Sequence, residues 1–275
     1  MNVIIDKEWL LKNLHHDNIR IVDCSFSLAN AEKGRQEYDK KHIPGALHFD
    51  LEKDLSGEKS EHGGRHPLPN IEEFIKKLEQ AGIDENTLVI AYDQGEGAFA
   101  ARFWWMLTYL GHEKVSVLDG GFSGWKAGNY PVTTEVPVIK HTTFIPNINH
   151  EVFANMQDVK AVVEDESAHT VLIDSREEKR YLGLEEMIDK KAGRIPGAIN
   201  KPWSEGLREG FYKPAEVQKE RFKDISPEKQ IIVYCGSGVT AAPNFLSLKA
   251  AGYKKVKLYL GSFSDWISYS ENKIQ

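Results

Sequence analysis

Cysteine is nearly absent from this chain. Two residues in 275, Cys24 and Cys235, cannot build a disulfide framework, and no CxxC occurs. A thiol kept under such scarcity is expected to act alone and reduced. No apolar run approaches the length of a membrane span. Long basic runs are missing too. The formal net charge is −6, with both signs interspersed, so neither a membrane nor a nucleic acid is an expected partner. The opening MNVIIDKEWLLKNL brings acids early and does not read as a signal peptide. The expected location is therefore the cytoplasm. Hydrophobic content is ordinary and there are six tryptophans, enough for a substantial core.

The chain is written twice. IRIVDCS (19–25) answers to TVLIDSR (170–176), and HIPGALHF (42–49) to RIPGAINK (194–201). TLVIAYDQGEGAFAA (87–101) answers to QIIVYCGSGVTAAP (230–243), and YLGHEKVSVLDGGFSGW (109–125) to AAGYKKVKLYLGSFSDW (250–266). Four blocks in one order, offset by 141 to 152 residues, imply two copies of one domain. We expect a first domain over 1–137, a linker over 138–149 rich in Pro, Thr and Asn, and a second domain over 150–275. VLIDS, IIVYC and VKLYL are continuous apolar runs, as in strands buried on both faces of a parallel sheet. GAFAARFWWMLTYLG reads as a helix with a glycine C-cap, which puts Trp104 and Trp105 in a core. Alternating strands and helices predict an α/β fold in each half, a parallel sheet flanked by helices.

Cys235 falls where a strand end feeds a helix, the place where ligands collect in such folds. Gly236 and Gly238 let the backbone curl so that the amides of residues 236–240 point at one centre. The helix that follows adds its positive dipole end, and together these favour a thiolate. Pro243 suits the first helical turn. The first copy has Asp93 at the matching position, so only one half carries the thiol. Cys24 ends another strand without glycines around it and reads as structural.

Other readings of this loop are weaker. GSGVTA, like GEGAFA in the first copy, fits a G-x-G-x-x-A dinucleotide fingerprint, but Asp93 and Glu96 would face a pyrophosphate with like charge. A cysteine phosphatase would need a cation where Ala241 stands. An acyl-transfer enzyme would pair the cysteine with a histidine, for which His66 is available. His62 and His66 lie four apart in EHGGRHPLP, but two glycines argue against the helix that a shared metal would need, so no metal is expected.

HIPGA and RIPGA, RYLG at 180–183, LDGGFSGW and above all CGSGVTA resemble the tandem rhodanese family of sulfurtransferases over nearly the whole chain. Family members pair an inactive first domain with a catalytic cysteine in the second, the asymmetry of Asp93 against Cys235. The resemblance implies a double displacement through a Cys235 persulfide. The sulfur donor would be 3-mercaptopyruvate or thiosulfate, and the acceptor cyanide or a thiol, thioredoxin among them. No cofactor is required. It further implies that Gly236, Ser237, Gly238, Val239 and Thr240 form the anion loop and that Arg180 binds the donor. CGSGVT resembles the mercaptopyruvate-type loops, in which Ser237 would relay a proton with His66 and with Glu52 of FDLE. Mercaptopyruvate enzymes usually carry a second arginine after the first. This chain has LEEMIDKK there, where Lys190 or Lys191 would have to serve. The contrasting class is a non-catalytic sulfur carrier or binding module on the same fold.

Overall fold

The computed structural model describes residues 2–165 and 169–275. The chain divides into two compact units. The first holds Met1–Gly57, Pro69–Ile148 and Glu209–Tyr212; the second holds Glu58–Leu68, Asn149–Arg208 and Lys213–Gln275. Each half thus lends a short segment to the other unit.

In the first unit the order is β1 (Ile4–Ile5), α1 (Lys7–Asn13), β2 (Ile19–Asp23), α2 (Glu32–Lys40), β3 (Ala46–His48), α3 (Ile71–Gln80), β4 (Leu88–Tyr92), α4 (Ala98–Tyr109), β5 (Val115–Leu118) and α5 (Gly121–Ala127). The strands form one parallel sheet in the order β1-β5-β4-β2-β3. In the second unit β6 (Phe153–Ala154), α6 (Met156–Glu164), β7 (Thr170–Asp174), α7 (Glu178–Tyr181), β8 (Ile199–Asn200) and β9 (Leu207–Arg208) precede β10 (Phe211–Tyr212), which belongs to the first unit. α8 (Ala215–Arg221), β11 (Gln230–Tyr234), α9 (Ala242–Ala250), β12 (Val256–Tyr259) and α10 (Ser262–Trp266) complete it. Its parallel sheet runs β6-β12-β11-β7-β8, the same order as the first. The expected α/β fold, two parallel sheets flanked by helices, is borne out.

The central strands β4 and β11 are buried after their first residue, because helices cover both sheet faces and only apolar, largely β-branched side chains satisfy both. α4 is buried along nearly its whole length, which is why its sequence lacks a polar stripe; Trp104 and Trp105 are core residues. α6 begins with a capping box, Asn155 and Asp158 each accepting the other's backbone N–H. Matching fasteners hold the two sheets. Tyr92 accepts the Ile43 N–H at 3.2 Å in one unit, and Tyr234 accepts the Ile195 N–H at 3.2 Å in the other. Trp125 and Trp266 are fully buried, their indole N–H groups donating to Pro131 O at 2.7 Å and Lys273 O at 2.8 Å. Truncating either to alanine costs about 3–5 kcal/mol. Among the described residues no helix is long and apolar enough to cross a membrane.

Candidate active site

β11 runs between β7 and β12, so its carboxyl end opens at the middle of the second sheet. Cys235 is the next residue, and it is buried. Its backbone is held at both ends. The N–H donates to Ser262 Oγ at 3.1 Å, and the C=O accepts the Phe263 N–H at 3.0 Å. Ser262 in turn donates to Tyr259 O at 2.8 Å, and its Oγ stands 3.9 Å from the cysteine Sγ. Ser262 has φ +57, a strained value for a non-glycine residue, of the kind that collects at functional sites.

The turn after the thiol brings an amide back onto it: Gly238 N–H donates to Cys235 Sγ at 3.2 Å. Gly238 has φ +73, and a Cβ there would stand 2.2 Å from Leu260 O. Gly236 differs from expectation, since its φ lies outside the left-handed region. Its missing side chain makes room instead, because a Cβ would stand 2.7 Å from Arg65 Nη2 and 3.5 Å from Arg180 Nη2. Val239 is buried, Thr240 is half-buried, and α9 follows with Pro243 in its first turn.

The segment 58–68 packs within the second unit. Gly63 N–H donates to Asp265 Oδ1 at 2.7 Å, Arg65 N–H donates to Ser264 Oγ at 3.2 Å, and the His62 ring stacks on Tyr269 at 3.9 Å. Thus fixed to α10, the segment delivers two side chains to the loop. His66 Nδ1 lies 2.9 Å from Ser237 Oγ, and both residues are buried. Arg65 reaches over Gly236 and pairs with Asp189. Burial pulls the Arg65 guanidinium below its ordinary value, against the opposing pull of Cys235. Arg180 is gripped by Glu186 through Nε at 3.0 Å and Nη2 at 2.9 Å, and its Nη2 also reaches Asp189 at 2.7 Å. Arg176 lies behind, fully buried, in a pair with Asp174 at 2.6 Å and stacked over Phe263 at 4.1 Å.

A rhodanese-like domain model matches residues 6–128 and again residues 155–269. The chain belongs to the rhodanese family. It is 35% identical over 271 residues to a probable 3-mercaptopyruvate sulfurtransferase of Pseudomonas aeruginosa, covering 96% of this chain and 95% of that one. It is 30% identical over 277 residues to a thiosulfate sulfurtransferase of Mus musculus, covering 96% and 91%. Among solved structures, SseA from Escherichia coli, a 3-mercaptopyruvate sulfotransferase, superposes with a TM-score of 0.84 at 34% identity, over 96% of this chain and all of that one. The tandem rhodanese sulfurtransferase expected from the motifs is thereby established.

The first rhodanese domain has the same loop, filled by its own side chain. Asp93 Oδ1 accepts the N–H groups of Gly95 at 3.0 Å and Gly97 at 2.9 Å; Oδ2 accepts those of Phe99 at 3.1 Å and Ala100 at 3.2 Å. Burial pushes its carboxyl above the ordinary value, while these four amides pull the other way. β10 lies over this loop, with Tyr212 O–H donating to Gly97 O at 3.0 Å. Cys24 is buried after β2, and burial, then the charges of Asp23, Asp93 and Asp54, push its thiol well above the ordinary value. Glu52 is an exposed residue of the first unit, its N–H donating to Asp50 Oδ1 at 2.8 Å. Lys190 and Lys191 are exposed. Among the described residues no group of three or more His, Cys, Asp or Glu is placed to hold a metal ion.

Sequence reasoning missed Arg65, Asp189 and Ser262. For Ser262 a signal existed: the first copy has Gly121 at that place, with φ +52. For Arg65 the preceding glycines, at φ +95 and +81, mark a turn that only glycine takes readily, with a cation after it.

Proposed function

We propose that Cys235 is the sulfur-carrying nucleophile of this sulfurtransferase, and the observation that supports it is the Gly238 amide donating to Sγ beneath two guanidiniums. In the first step the thiolate attacks the outer sulfur of thiosulfate. A Cys–S–S⁻ persulfide forms and sulfite leaves with the electron pair of the broken S–S bond. With 3-mercaptopyruvate the thiolate attacks the thiol sulfur instead, the C–S bond breaks, and the enolate of pyruvate leaves and takes a proton. In the second step cyanide or a thiolate takes the outer sulfur, giving thiocyanate or a new persulfide, and Cys235 returns as thiolate. An amide aimed at a sulfur anion, in a site that excludes water, stabilises both thiolate and persulfide.

The guanidiniums of Arg65 and Arg180 suit a donor's sulfonate or carboxylate, whose geometry a planar fork matches. Only mercaptopyruvate requires a proton for its leaving group. The buried Ser237–His66 pair, 2.9 Å apart, is assigned to that transfer. Glu52 joins the relay on the family resemblance alone. In the proposed division, 1–137 is non-catalytic, 138–149 is a linker and 150–275 is catalytic, with Arg65 and His66 contributed from the first stretch. A cytoplasmic location and thioredoxin as a thiol acceptor belong to the same reading.

The test is intact mass after exposure to thiosulfate or 3-mercaptopyruvate, then to cyanide, with Cys235→Ser beside the native chain. Gain of one sulfur atom in the native chain only, lost again to cyanide, is the expected result. No gain from either donor overturns the reading in favour of a non-catalytic carrier or binding module.

A further inference from the structure

The two guanidiniums over Gly236 are already occupied. One carboxylate, that of Asp189, gives Oδ1 to Arg65 Nη1 and Oδ2 to Arg180 Nη2, bridging them as a planar anion would. Its Oδ2 stands 3.5 Å from the point where a Cβ on Gly236 would lie, next to the cysteine. The neighbouring acids have other tasks. Asp174 holds Arg176 with both oxygens, and Glu186 grips Arg180 while accepting the N–H groups of Ile188 and Asp189. Three guanidiniums (Arg65, Arg176, Arg180) therefore face three carboxylates (Asp174, Glu186, Asp189), and the cluster is neutral. An anionic donor gains little from guanidiniums already matched by carboxylates; with Asp189 withdrawn, one more positive charge is left for the donor and the Cys235 thiolate.

The segment that carries Asp189 is held by its ion pairs rather than by an apolar core. No apolar residue from Leu182 to Lys191 is buried, and Leu184, Met187 and Ile188 point their side chains outward; only the carboxylates of Glu186 and Asp189 turn in, 3% and 1% exposed against their arginines. Gly183 at φ +72 and Gly193 at φ +111 close its neck, a Cβ on the former standing 3.3 Å from the backbone N of the latter. A segment without apolar anchors opens once a competing anion takes over its ion pairs. Arg65 and Asp189 also stand on the wall of a cavity of about 260 Å³, with Lys59, Lys190, Ser264 and Ser268 around it. Glu61 and Ile188 also line it, and its volume admits a small anion.

We propose that Asp189 is a built-in carboxylate occupying the subsite where Arg65 and Arg180 bind the anionic group of the sulfur donor, so that its displacement sets the donor's apparent affinity. This rests on the sulfurtransferase reading, but the subsite can be read without turnover. Inorganic sulfate is the probe, with sodium chloride at equal ionic strength as reference, and the readout is the thermal midpoint of the full chain. A ligand that binds only the folded state raises that midpoint with the logarithm of its concentration over Kd. Sulfate is expected to raise the midpoint of Asp189→Asn more than that of the native chain, and to lose the effect in Asp189→Asn/Arg65→Gln. In turnover, Asp189→Asn should lower KM for thiosulfate and for 3-mercaptopyruvate about three- to tenfold, with kcat little changed, the scale of one ordinary hydrogen bond. Asp189→Ala repeats both measurements with no amide in the carboxylate's place. An equal or smaller sulfate shift in both variants, or a KM that rises, would mean that Asp189 positions the arginines rather than competing with the donor, and overturns the proposal. Failure of the native chain to take up sulfur would refute the sulfurtransferase reading while leaving the sulfate result to stand or fall alone.

Discussion

Replacing Gly238 by alanine tests the amide cradle directly. Gly238 sits at φ +73, where an L-residue loses roughly 1–2 kcal/mol to the clash of Cβ with its own backbone. The new methyl would also stand 2.2 Å from Leu260 O and 3.0 Å from Leu260 C, which are backbone atoms at the end of β12 and cannot rotate away. Carbon and oxygen settle near 3.3 Å, so the turn must move by about 1 Å. The Gly238 N–H now lies 3.2 Å from Sγ. A shift of that size outward takes it beyond bonding distance. Losing one preorganised donor from a reacting anion costs about 10²–10³ in rate. Single-turnover loading of Cys235 by thiosulfate, followed by rapid quench and intact mass, should therefore slow by about two orders of magnitude. Denaturant unfolding should show a loss of about 1–2 kcal/mol or more. If Gly238→Ala loses stability as expected yet loads sulfur at the native rate, the amide has no part in the chemistry and the cradle argument fails.

Three further outcomes follow from the same geometry. Gly236→Ala places a methyl 2.7 Å from Arg65 Nη2, a side-chain end that can move, so stability should be nearly unchanged while KM for either donor rises several-fold; a lost fold instead would show the arginines to be rigid. His66→Asn should slow 3-mercaptopyruvate turnover by about 10²-fold or more and spare thiosulfate, because only the former needs a proton transfer. Equal losses with the two donors would remove His66 from the relay. His112 is buried in the first unit, and burial holds its imidazole below the ordinary value of 6.5. The folded state then disfavours the proton, so the stability this residue contributes is full above pH 6.5 and falls as pH drops through that value, by at most about 1.4 kcal/mol per pH unit. His112→Gln should flatten the pH dependence of unfolding between pH 6.5 and 5, and an unaltered slope would contradict the assignment.

The sheets were legible because their residues face one kind of environment. IIVY can only be a strand covered on both faces, and the repeat supplied the order of elements without any long-range contact. The thiol loop was legible because it is local: strand, cysteine, glycine turn and helix are contiguous. Arg65 and Asp189 were not, since their meeting is tertiary. One comes from a segment 58–68 that packs against α10, far along the chain, and the other from a segment without periodicity. The acids of LEEMIDKK read as a departure from a binding site, whereas Glu186 and Asp189 turn inward onto arginines while Glu185, Lys190 and Lys191 stay exposed. Pattern alone does not separate a solvated acid from one buried by a partner.

The repeat itself carries a further lesson about where chemistry enters a duplicated fold. Among the positions that differ around the loop are Asp93 against Cys235, Gly121 against Ser262 and Gly124 against Asp265. In the first domain the aspartate uses up four converging amides, and glycines fill the other two places. In the second, the cysteine leaves the turn open to a ligand, Ser262 fastens the cysteine's own N–H, and Asp265 fastens the segment that delivers Arg65 and His66. Ser262 bears a left-handed φ that glycine takes freely at Gly121, a cost that is recovered only if its hydroxyl is needed where it stands. The side chains that distinguish the second loop thus converge on one sulfur atom and on the segment beside it. At positions 262 and 265, outside the turn itself, a polar residue standing where its repeat partner is glycine therefore points to the working half of this tandem fold.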